Sequence, residues 1–283
     1  MKQTVIFIAI LAILVSCKNT KDTQDNDGKA AILMVHFGTS HDDTRTLTID
    51  AINAKAKEAF QECDVFEAYT SSVIIKILKK RGIEKSSPRE MLEKLIAEGY
   101  KNIYIQPTHI IPGKEYKELA LEAQRARQLS ANIILGEPLL YSIEDCQKVT
   151  DILGSRHAQD SPSDHVVLVG HGTEDPANAL YCQADYMFQS GGYENFHVAT
   201  IEGFPGFNEV LAILQKSKAG KVTLVPFMFV AGDHALNDIS EDWKKQLQGN
   251  GFQVDVKLEG LGQIPEIQDL YIRHLKEAID IAE

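Results

Sequence analysis

The sequence predicts an α/β protein of two similar domains, each a four-stranded parallel sheet flanked by helices, with a cleft between the domains. Short apolar runs alternate with amphipathic stretches throughout the chain beyond residue 29. This alternation is typical of a parallel sheet covered by helices. The apolar runs form two sets of four, and a weak internal repeat relates the two sets. The repeat is the reason for predicting two domains rather than one large sheet.

The predicted strands follow one another at regular intervals, at about residues 30–37, 65–69, 102–107, 132–136, 165–169, 196–201, 221–226 and 252–258. The clearest helix between them is SPREMLEKLIAEGY. Ser87 suits its N-cap, Pro88 suits its first position, and Gly99 can close its carboxyl end. Ligands of parallel sheets bind beyond the carboxyl ends of the strands. The residues that follow each strand are therefore the candidates for a functional site.

The first 28 residues are predicted to lie outside the fold. MKQTVIFIAILAILVSC has one lysine and then eleven consecutive apolar residues, fewer than the roughly 20 that span a bilayer and typical of a signal peptide. LVSC resembles the bacterial lipobox, so we expect residues 1–16 to be removed and Cys17 to be acylated, with residues 17–28 as a flexible tether. An ordinary cleaved signal or a short anchor is the alternative. The lipid would hold an exported protein on a bacterial membrane, facing the periplasm or the cell surface.

The amino-acid composition and the cysteine spacing exclude several classes of function. The chain has 283 residues, of which 44% are hydrophobic and 24% charged, with a net charge of −11. This is a globular composition, and the absence of a basic run excludes nucleic acid as an expected partner. Cys63, Cys146 and Cys182 have no C-x-x-C spacing and predict neither a zinc knuckle nor a disulfide framework. We expect these three cysteines to be small buried apolar residues.

The internal repeat is visible at two places in each half. The Gly-Thr pair at 38–39 matches the pair at 172–173 at an offset of 134. IYIQPTHIIPGKEY at 103–116 aligns with VTLVPFMFVAGDHA at 222–235 at an offset of 119. Each half then has a strand that ends in proline, followed six positions later by glycine. A polar residue comes two positions after each of these glycines, Glu115 in the first half and His234 in the second.

The repeat predicts the domain boundaries. We expect one domain at 29–140, a second at 141–262, and a final segment, 263–283, whose helix packs back on the first half. Glu115 and His234 occupy equivalent positions of the repeat, so we expect them to face each other across the cleft.

Five polar side chains follow predicted strands: His109, Glu115, His171, Glu202 and His234. Imidazole nitrogens and carboxylate oxygens suit divalent cobalt, iron, nickel or zinc, and they transfer protons near neutral pH. A lone histidine at a strand end is often structural. His171, however, lies between Gly170 and Gly172, and glycine lets backbone or ligand approach closely.

Other interpretations of the Gly-His-Gly segment do not fit. Histidine phosphatases carry arginine directly before the catalytic histidine, where this chain has Gly170. The chain contains no G-x-S-x-G and no Walker motif, and GLG at 260–262 is too short for a dinucleotide fingerprint.

From about residue 30 to 283 the chain resembles the anaerobic-type sirohydrochlorin cobaltochelatases of cobalamin biosynthesis, in the class II chelatase superfamily. The segments that carry the resemblance are HFGTS, FEAYTSSVIIKILKKRG, IQPTHIIPGKEY, VGHGTEDPANALY and PFMFVAGDHALNDI. The resemblance implies a chelatase-like fold with the active site in the interdomain cleft. It also implies that His171 and His234 are the functional pair, that Glu115 is a site residue, and that Glu202 completes the metal site.

The implied reaction inserts Co2+, as the substrate metal, into a tetrapyrrole macrocycle; Fe2+ and Ni2+ remain alternatives. His171 and Glu115 are then the catalytic residues. The expected metal ligands are His171, Glu202 and His234. The expected contacts of the macrocycle are Phe37, Gly38, Thr39, His109 and Gly172. We attribute the glycines beside His171 to the room that a flat macrocycle needs, and Phe37 to an apolar wall, with a core position as its alternative.

The export signal departs from the family, because its usual substrate is made in the cytoplasm. Two functions remain open: an exported chelatase that moves a metal into or out of a tetrapyrrole, and a haem- or tetrapyrrole-binding or iron-removing lipoprotein without the cobaltochelatase role. The presence of His171, Glu115, Glu202 and His234 favours retained chemistry. The sequence leaves open whether the chain forms homo-oligomers.

Overall fold

The computed structural model describes residues 30–129, 132–159, 161–232 and 235–281. The predicted signal peptide, Cys17 and the tether lie outside the described residues, and so does His234. Among the described residues, no helix has the length and apolar character needed to cross a bilayer.

In the described residues eight strands form two parallel sheets, which confirms the predicted fold class. The strands are β1 Ala30–His36, β2 Cys63–Tyr69, β3 Asn102–Pro107, β4 Asn132–Leu135, β5 Asp164–Gly170, β6 Phe196–Thr200, β7 Lys221–Pro226 and β8 Gln253–Val256. The sheet of the first half has the order β2-β1-β3-β4, and the sheet of the second half has the order β6-β5-β7-β8. Both ends of each strand lie within two residues of the predicted ends.

Helices connect the parallel strands, as crossovers between parallel strands require. They are α1 Asp42–Arg45, α2 Ala51–Ala59, α3 Ser72–Lys80, α4 Pro88–Ala97, α5 Lys114–Ala126, α6 Ile143–Arg156, α7 Ala179–Ser190, α8 Phe207–Ser217, α9 Lys244–Gly249 and α10 Pro265–Asp280. Turns of π-helix at Thr46–Asp50 and Ala235–Trp243 lead into α2 and α9. The predicted caps of α4 are present: the Ser87 side chain accepts from the Glu90 N–H, and Gly99 has φ +91°.

The two halves share their strand register as well as their strand order. Val35 pairs with Pro107 in the first sheet, and Val169 pairs with Pro226 in the second. These pairs are equivalent under the offsets of 134 and 119 found in the sequence. The backbone bond that follows each pair is also repeated, from Thr108 N to Val35 O at 2.8 Å and from Phe227 N to Val169 O at 2.7 Å. The geometry therefore supports the predicted duplication.

The core explains why the strands are continuous apolar runs. Leu33 and Met34 on β1 point to opposite faces, and both are fully buried. A large apolar cluster includes residues of both sheets, and each sheet has a smaller cluster of its own. Strands buried on both faces lose the alternating pattern and read as unbroken hydrophobic segments. Cys146 is buried, whereas Cys63 and Cys182 are partly exposed, so the prediction of three buried cysteines is wrong for two of them; all three are free thiols.

The last helix, α10, contacts α2, β3 and α6. The buried Tyr271 hydroxyl on α10 lies 3.1 Å from the Thr108 carbonyl oxygen and 3.3 Å from that of His109. It donates to the backbone directly after β3. His274 Nε2 lies 3.0 Å from Asp145 Oδ1 on α6. The Tyr271 bonds thus anchor the segment after β3, which leads to the candidate site, and the His274 bond joins α10 to α6.

Candidate active site

The carboxyl ends of the two sheets meet at a cavity of about 350 Å³. Residues that follow β1 and β3 line it from the first half, and residues that follow β5 and β7 line it from the second. Seven of the predicted site residues line this cavity: Phe37, Gly38, Thr39, His109, Glu115, His171 and Gly172. Much of the remaining wall is apolar and includes Ile74, Ile110, Ile111, Phe227, Phe229 and Val230. An apolar cavity with a few polar groups is the usual form of a small-molecule site.

His171 directly follows β5, and Glu202 lies two residues after the end of the neighbouring strand β6. His171 Nδ1 lies 4.0 Å from Glu202 Oε2, with the two side chains 39% and 58% exposed. The same Nδ1 lies 3.0 Å from the Gly172 carbonyl oxygen. When Nδ1 carries the hydrogen and donates to this carbonyl, Nε2 keeps a lone pair. That nitrogen can then accept a proton or bind a metal ion.

Packing within the protein requires the glycines beside His171. A Cβ at Gly170 would lie 2.5 Å from the Tyr181 ring, and a Cβ at Gly172 would lie 2.5 Å from the Gly203 nitrogen. Gly172 also has φ +82°, in the left-handed region that favours glycine. Attributing the two glycines to the room needed by a macrocycle is therefore wrong, since neighbouring protein atoms already leave no space for a side chain at either position.

Glu115 reaches the cavity from the opposite half. It lies in the first turn of α5, where the helix dipole stabilises a carboxylate. The two halves are in contact beside it: Lys117 Nζ lies 2.5 Å from Asp175 Oδ2, across the boundary between them. The structure thus brings Glu115 and His171 to one cavity. That Glu115 faces His234 stays a prediction, because His234 lies outside the described residues.

Phe37 and Gly38 form part of the wall after β1. The Phe37 side chain is 41% exposed, which contradicts the alternative that it is a core residue. Gly38 has φ +102°, and a Cβ there would lie 2.5 Å from the Tyr69 ring. The backbone between Phe37 and Thr39 therefore turns tightly along the cavity.

His109 lines the cavity with an imidazole whose surroundings are unusual. Both of its ring nitrogens are buried, and neither has a hydrogen-bond partner among the described residues. Burial lowers the pKa of His109 to about 4, with a smaller contribution from His36. The ring is therefore neutral at physiological pH, with one donor and one acceptor unused.

His36 is a cavity-lining residue that the sequence interpretation missed. It is the last residue of β1, is fully buried, and stacks on Phe229 at a centroid distance of 5.9 Å. Burial lowers its pKa to about 4, although Glu67 opposes this shift. Its position at the end of an apolar strand, directly before Phe37, was the available sequence signal.

A chain of hydrogen bonds fixes the tautomer of His36. Asn53 Nδ2 donates to Glu67 Oε2 at 2.9 Å, which leaves Asn53 Oδ1 to accept from His36 Nε2 at 3.1 Å. His36 Nδ1 then accepts from the Thr108 hydroxyl at 3.0 Å. Burial acts to raise the pKa of Glu67, but contact with Lys85 outweighs it and the carboxyl stays ionised.

Tyr181 is the second missed residue of the cavity. Its ring is buried against Gly170, and its hydroxyl bonds the Gly172 backbone. Burial raises its pKa, so the phenol keeps its proton beside the Gly-His-Gly segment. The sequence gives no signal for this role, because Tyr181 follows His171 by ten residues and reaches it only through the fold of α7.

The proposed metal ligands are brought together only in part. His171 and Glu202 are adjacent, and the third predicted ligand, His234, lies outside the described residues. Among the residues described, no three or more histidine, cysteine or acidic side chains form a group suited to hold a metal ion. The observed part of the site is thus a pair, one imidazole and one carboxylate.

Solved structures of chelatases share this architecture. SirB from Bacillus subtilis with Fe3+ matches with a TM-score of 0.64 at 16% identity, over 88% of this chain and 95% of that one. The structure of the sirohydrochlorin chelatase SirB in complex with cobalt matches with a TM-score of 0.60 at 16% identity, over 89% of this chain and 96% of that one. At these identities the likeness is one of fold. The fold is that of the two-domain chelatases.

Sequence comparison identifies the family within this class. The sequence model described as cobalt chelatase (CbiK) matches residues 30–280, and the chain belongs to this family. The sirohydrochlorin cobaltochelatase of Salmonella typhimurium is 35% identical over 259 residues, which cover 90% of this chain and 98% of that relative. The sirohydrochlorin cobaltochelatase CbiKC of Nitratidesulfovibrio vulgaris is 28% identical over 258 residues, covering 89% of this chain and 91% of that relative. The resemblance predicted from the motifs is confirmed.

Proposed function

We propose that this protein is a sirohydrochlorin cobaltochelatase, which inserts Co2+ into the macrocycle and releases two pyrrole N–H protons. One observation carries the proposal: in a chain of the cobalt chelatase family, Glu115 from the first half and His171 from the second line a single cavity. Insertion needs a group that accepts the pyrrole protons and a group that delivers the metal to the same ring. The first half supplies the proton acceptor, Glu115, and the second half supplies the metal ligand, His171.

The division of roles follows from the chemistry of the side chains. Glu115 is a carboxylate that can accept a pyrrole proton. His171, with Nε2 unprotonated, delivers the metal together with Glu202 and, as the third ligand, His234. Co2+ accepts both imidazole nitrogen and carboxylate oxygen, as do Fe2+ and Ni2+. A chelatase must release its metal, so few protein ligands and open coordination positions suit the task better than a closed structural site.

The apolar walls of the cavity suit a flat macrocycle. The exposed ring of Phe37 offers a stacking face, and the tight backbone at Gly38 and Thr39 allows close approach. His109 and Gly172 border the same space. The unused donor and acceptor of His109 can bond a polar group of the bound macrocycle.

The reaction is tested by mixing the purified protein with sirohydrochlorin and Co2+ and following the visible absorbance of the macrocycle. We expect insertion well above the rate without protein, and its loss in His171→Ala. Insertion no faster than without protein would contradict the proposal. A parallel experiment with haem distinguishes the alternative, because iron removal without cobalt insertion would identify an iron-removing protein instead.

We further propose that the protein is exported and anchored by a lipid on Cys17, because LVSC at the end of the apolar segment has the form of a lipobox. Two acyl signals hold a protein stably on a bilayer, whereas one chain binds only marginally. The full-length chain should label with radioactive palmitate and fractionate with membranes, and Cys17→Ser should do neither. A Cys17→Ser protein that still fractionates with membranes would contradict the lipid anchor.

A further inference from the structure

The His171 and Glu202 loops lie side by side because their strands pair. Gly170 at the end of β5 is in register with Thr200 at the end of β6. Backbone bonds continue this pairing beyond the strands, from Ile201 N to Gly170 O at 3.0 Å and from Glu202 N to His171 O at 2.8 Å. Beyond these bonds a side chain, that of Asn178, joins the two loops.

The Asn178 amide forms a hydrogen bond with each of the two loops. Its Oδ1 accepts from the Thr173 backbone N–H at 3.0 Å, and its Nδ2 donates to the Phe204 carbonyl at 2.5 Å. Thr173 lies two residues after His171, and Phe204 lies two residues after Glu202. The orientation of the amide is determined, because a backbone N–H only donates and a carbonyl only accepts.

The Asn178 amide packs closely against the second loop. A Cβ at Gly203 would lie 2.3 Å from Asn178 Oδ1, and a Cβ at Gly172 would lie 2.5 Å from the Gly203 nitrogen. The contact between the amide, Gly203 and Gly172 therefore leaves no room for a side chain at either glycine. Asp175 bonds the backbone of the same segment: its side chain accepts from the Ala177 N–H at 2.9 Å, and its carbonyl accepts from the Asn178 N–H at 2.9 Å.

We propose that Asn178 is a positioning residue that sets the spacing between His171 and Glu202 for metal delivery. The inference rests on the function proposed above. His171 Nδ1 and Glu202 Oε2 are 4.0 Å apart, so the two side chains lie side by side. Because Nδ1 lies against the Gly172 carbonyl, the nitrogen of His171 that is left to bind a metal is Nε2. A change in the separation of the two loops moves Nε2 relative to the Glu202 carboxylate and alters their ability to share an ion.

The test compares two Asn178 variants with a matched control in the same half. Asn178→Asp keeps the volume and the acceptor for Thr173 but cannot donate to the Phe204 carbonyl, and Asn178→Ala removes both bonds. The control is Asn195→Asp, because Asn195 Nδ2 also donates to a backbone carbonyl, that of Asp164, at 2.6 Å. It lies at the other end of the sheet, so it reports the general cost of losing such a bond.

The readouts are the visible spectrum of bound Co2+, the Co2+ dissociation constant, and kcat and KM for sirohydrochlorin. We expect both Asn178 variants to alter the cobalt spectrum and to weaken Co2+ binding about 10- to 100-fold, the range that changes in the outer contacts of a metal site usually cause. Asn195→Asp should leave spectrum and affinity unchanged. Thermal unfolding confirms that each variant is folded, and Asn178→Asp carries the test alone if Asn178→Ala does not fold.

An unchanged cobalt spectrum and affinity in Asn178→Asp, in a protein whose Co2+ binding His171→Ala abolishes, would overturn the positioning role and leave the proposed function standing. If His171→Ala also leaves cobalt binding unchanged, the proposed metal site is wrong and this inference fails with it. A spectral change of equal size in Asn195→Asp would likewise overturn it, because the effect would then be general.

Discussion

Gly172→Ala tests whether protein packing requires the glycine after His171. The added Cβ would lie 2.5 Å from the Gly203 nitrogen and 2.7 Å from the Thr200 Cβ, and the residue must keep φ near +82°. The left-handed conformation costs a non-glycine residue about 1–2 kcal/mol. Forcing atoms into a packed site costs roughly 1–3 kcal/mol more. Reduced freedom of the unfolded chain returns about 0.4–1 kcal/mol.

Gly192→Ala is the matched control, because Gly192 has φ +89° and nothing within 4 Å of a built Cβ. Both variants carry the backbone cost and the unfolded-chain gain, so the difference between them isolates the contact cost. We expect Gly172→Ala to lower the free energy of unfolding by about 1–3 kcal/mol more than Gly192→Ala. Urea denaturation followed by circular dichroism measures both. Equal losses would refute the packing explanation and return the glycine to a role toward the ligand.

Three further outcomes are expected. Glu115→Gln should bind Co2+ nearly as the unmodified protein does but insert it about 10²-fold more slowly, because an amide cannot accept the proton; an unchanged insertion rate would exclude Glu115 from proton transfer. Lys117→Ala should lower the free energy of unfolding less than Gly172→Ala does, since Lys117 is 56% exposed and its pair with Asp175 is screened by solvent; an equal or larger loss in urea denaturation would indicate a stronger bond between the halves. Stability should fall as the pH decreases from about 6.5 toward 4, because burial lowers the pKa of His36 and His109 to about 4 and the unfolded chain then binds more protons. In His109→Leu the free energy of unfolding should fall less steeply over this pH range. Urea denaturation at a series of pH values measures this, and an equal pH dependence in the variant and the unmodified protein would contradict the explanation.

The fold was predictable because its strands are buried on both faces. Leu33 and Met34 point to opposite sides of the first sheet, yet neither reaches solvent. Such strands are unbroken apolar runs, and the helices between them separate the runs clearly. Site residues were predictable for a related reason: parallel strands end at the same edge of a sheet. His171 and Glu202 could therefore be placed together from the ends of two strands that pair.

What the sequence did not reveal depends on contacts between distant elements. His36 acquires its role through Asn53 on α2 and Thr108 after β3, and neither neighbour follows from a local pattern. The reason for Gly170 is the Tyr181 ring, which reaches it from α7. Motif spacing identifies which residues are unusual. The reason that each of these residue types is needed at its position lies in contacts between elements that are distant in the sequence.

The duplicated strand ends carry one imidazole each, displaced by one residue. Val35 and Val169 are equivalent in register, so His36 corresponds to Gly170, and Phe37 corresponds to His171. Successive residues of a strand point to opposite sides. The histidine of the first half therefore points into the protein, where it is fully buried and neutral, whereas His171 keeps a 39% exposed side chain beside Glu202. A shift of one position thus separates a buried, neutral imidazole in the cavity wall from a partly exposed one beside a carboxylate, and the two sides of one cavity therefore differ chemically although the fold is repeated.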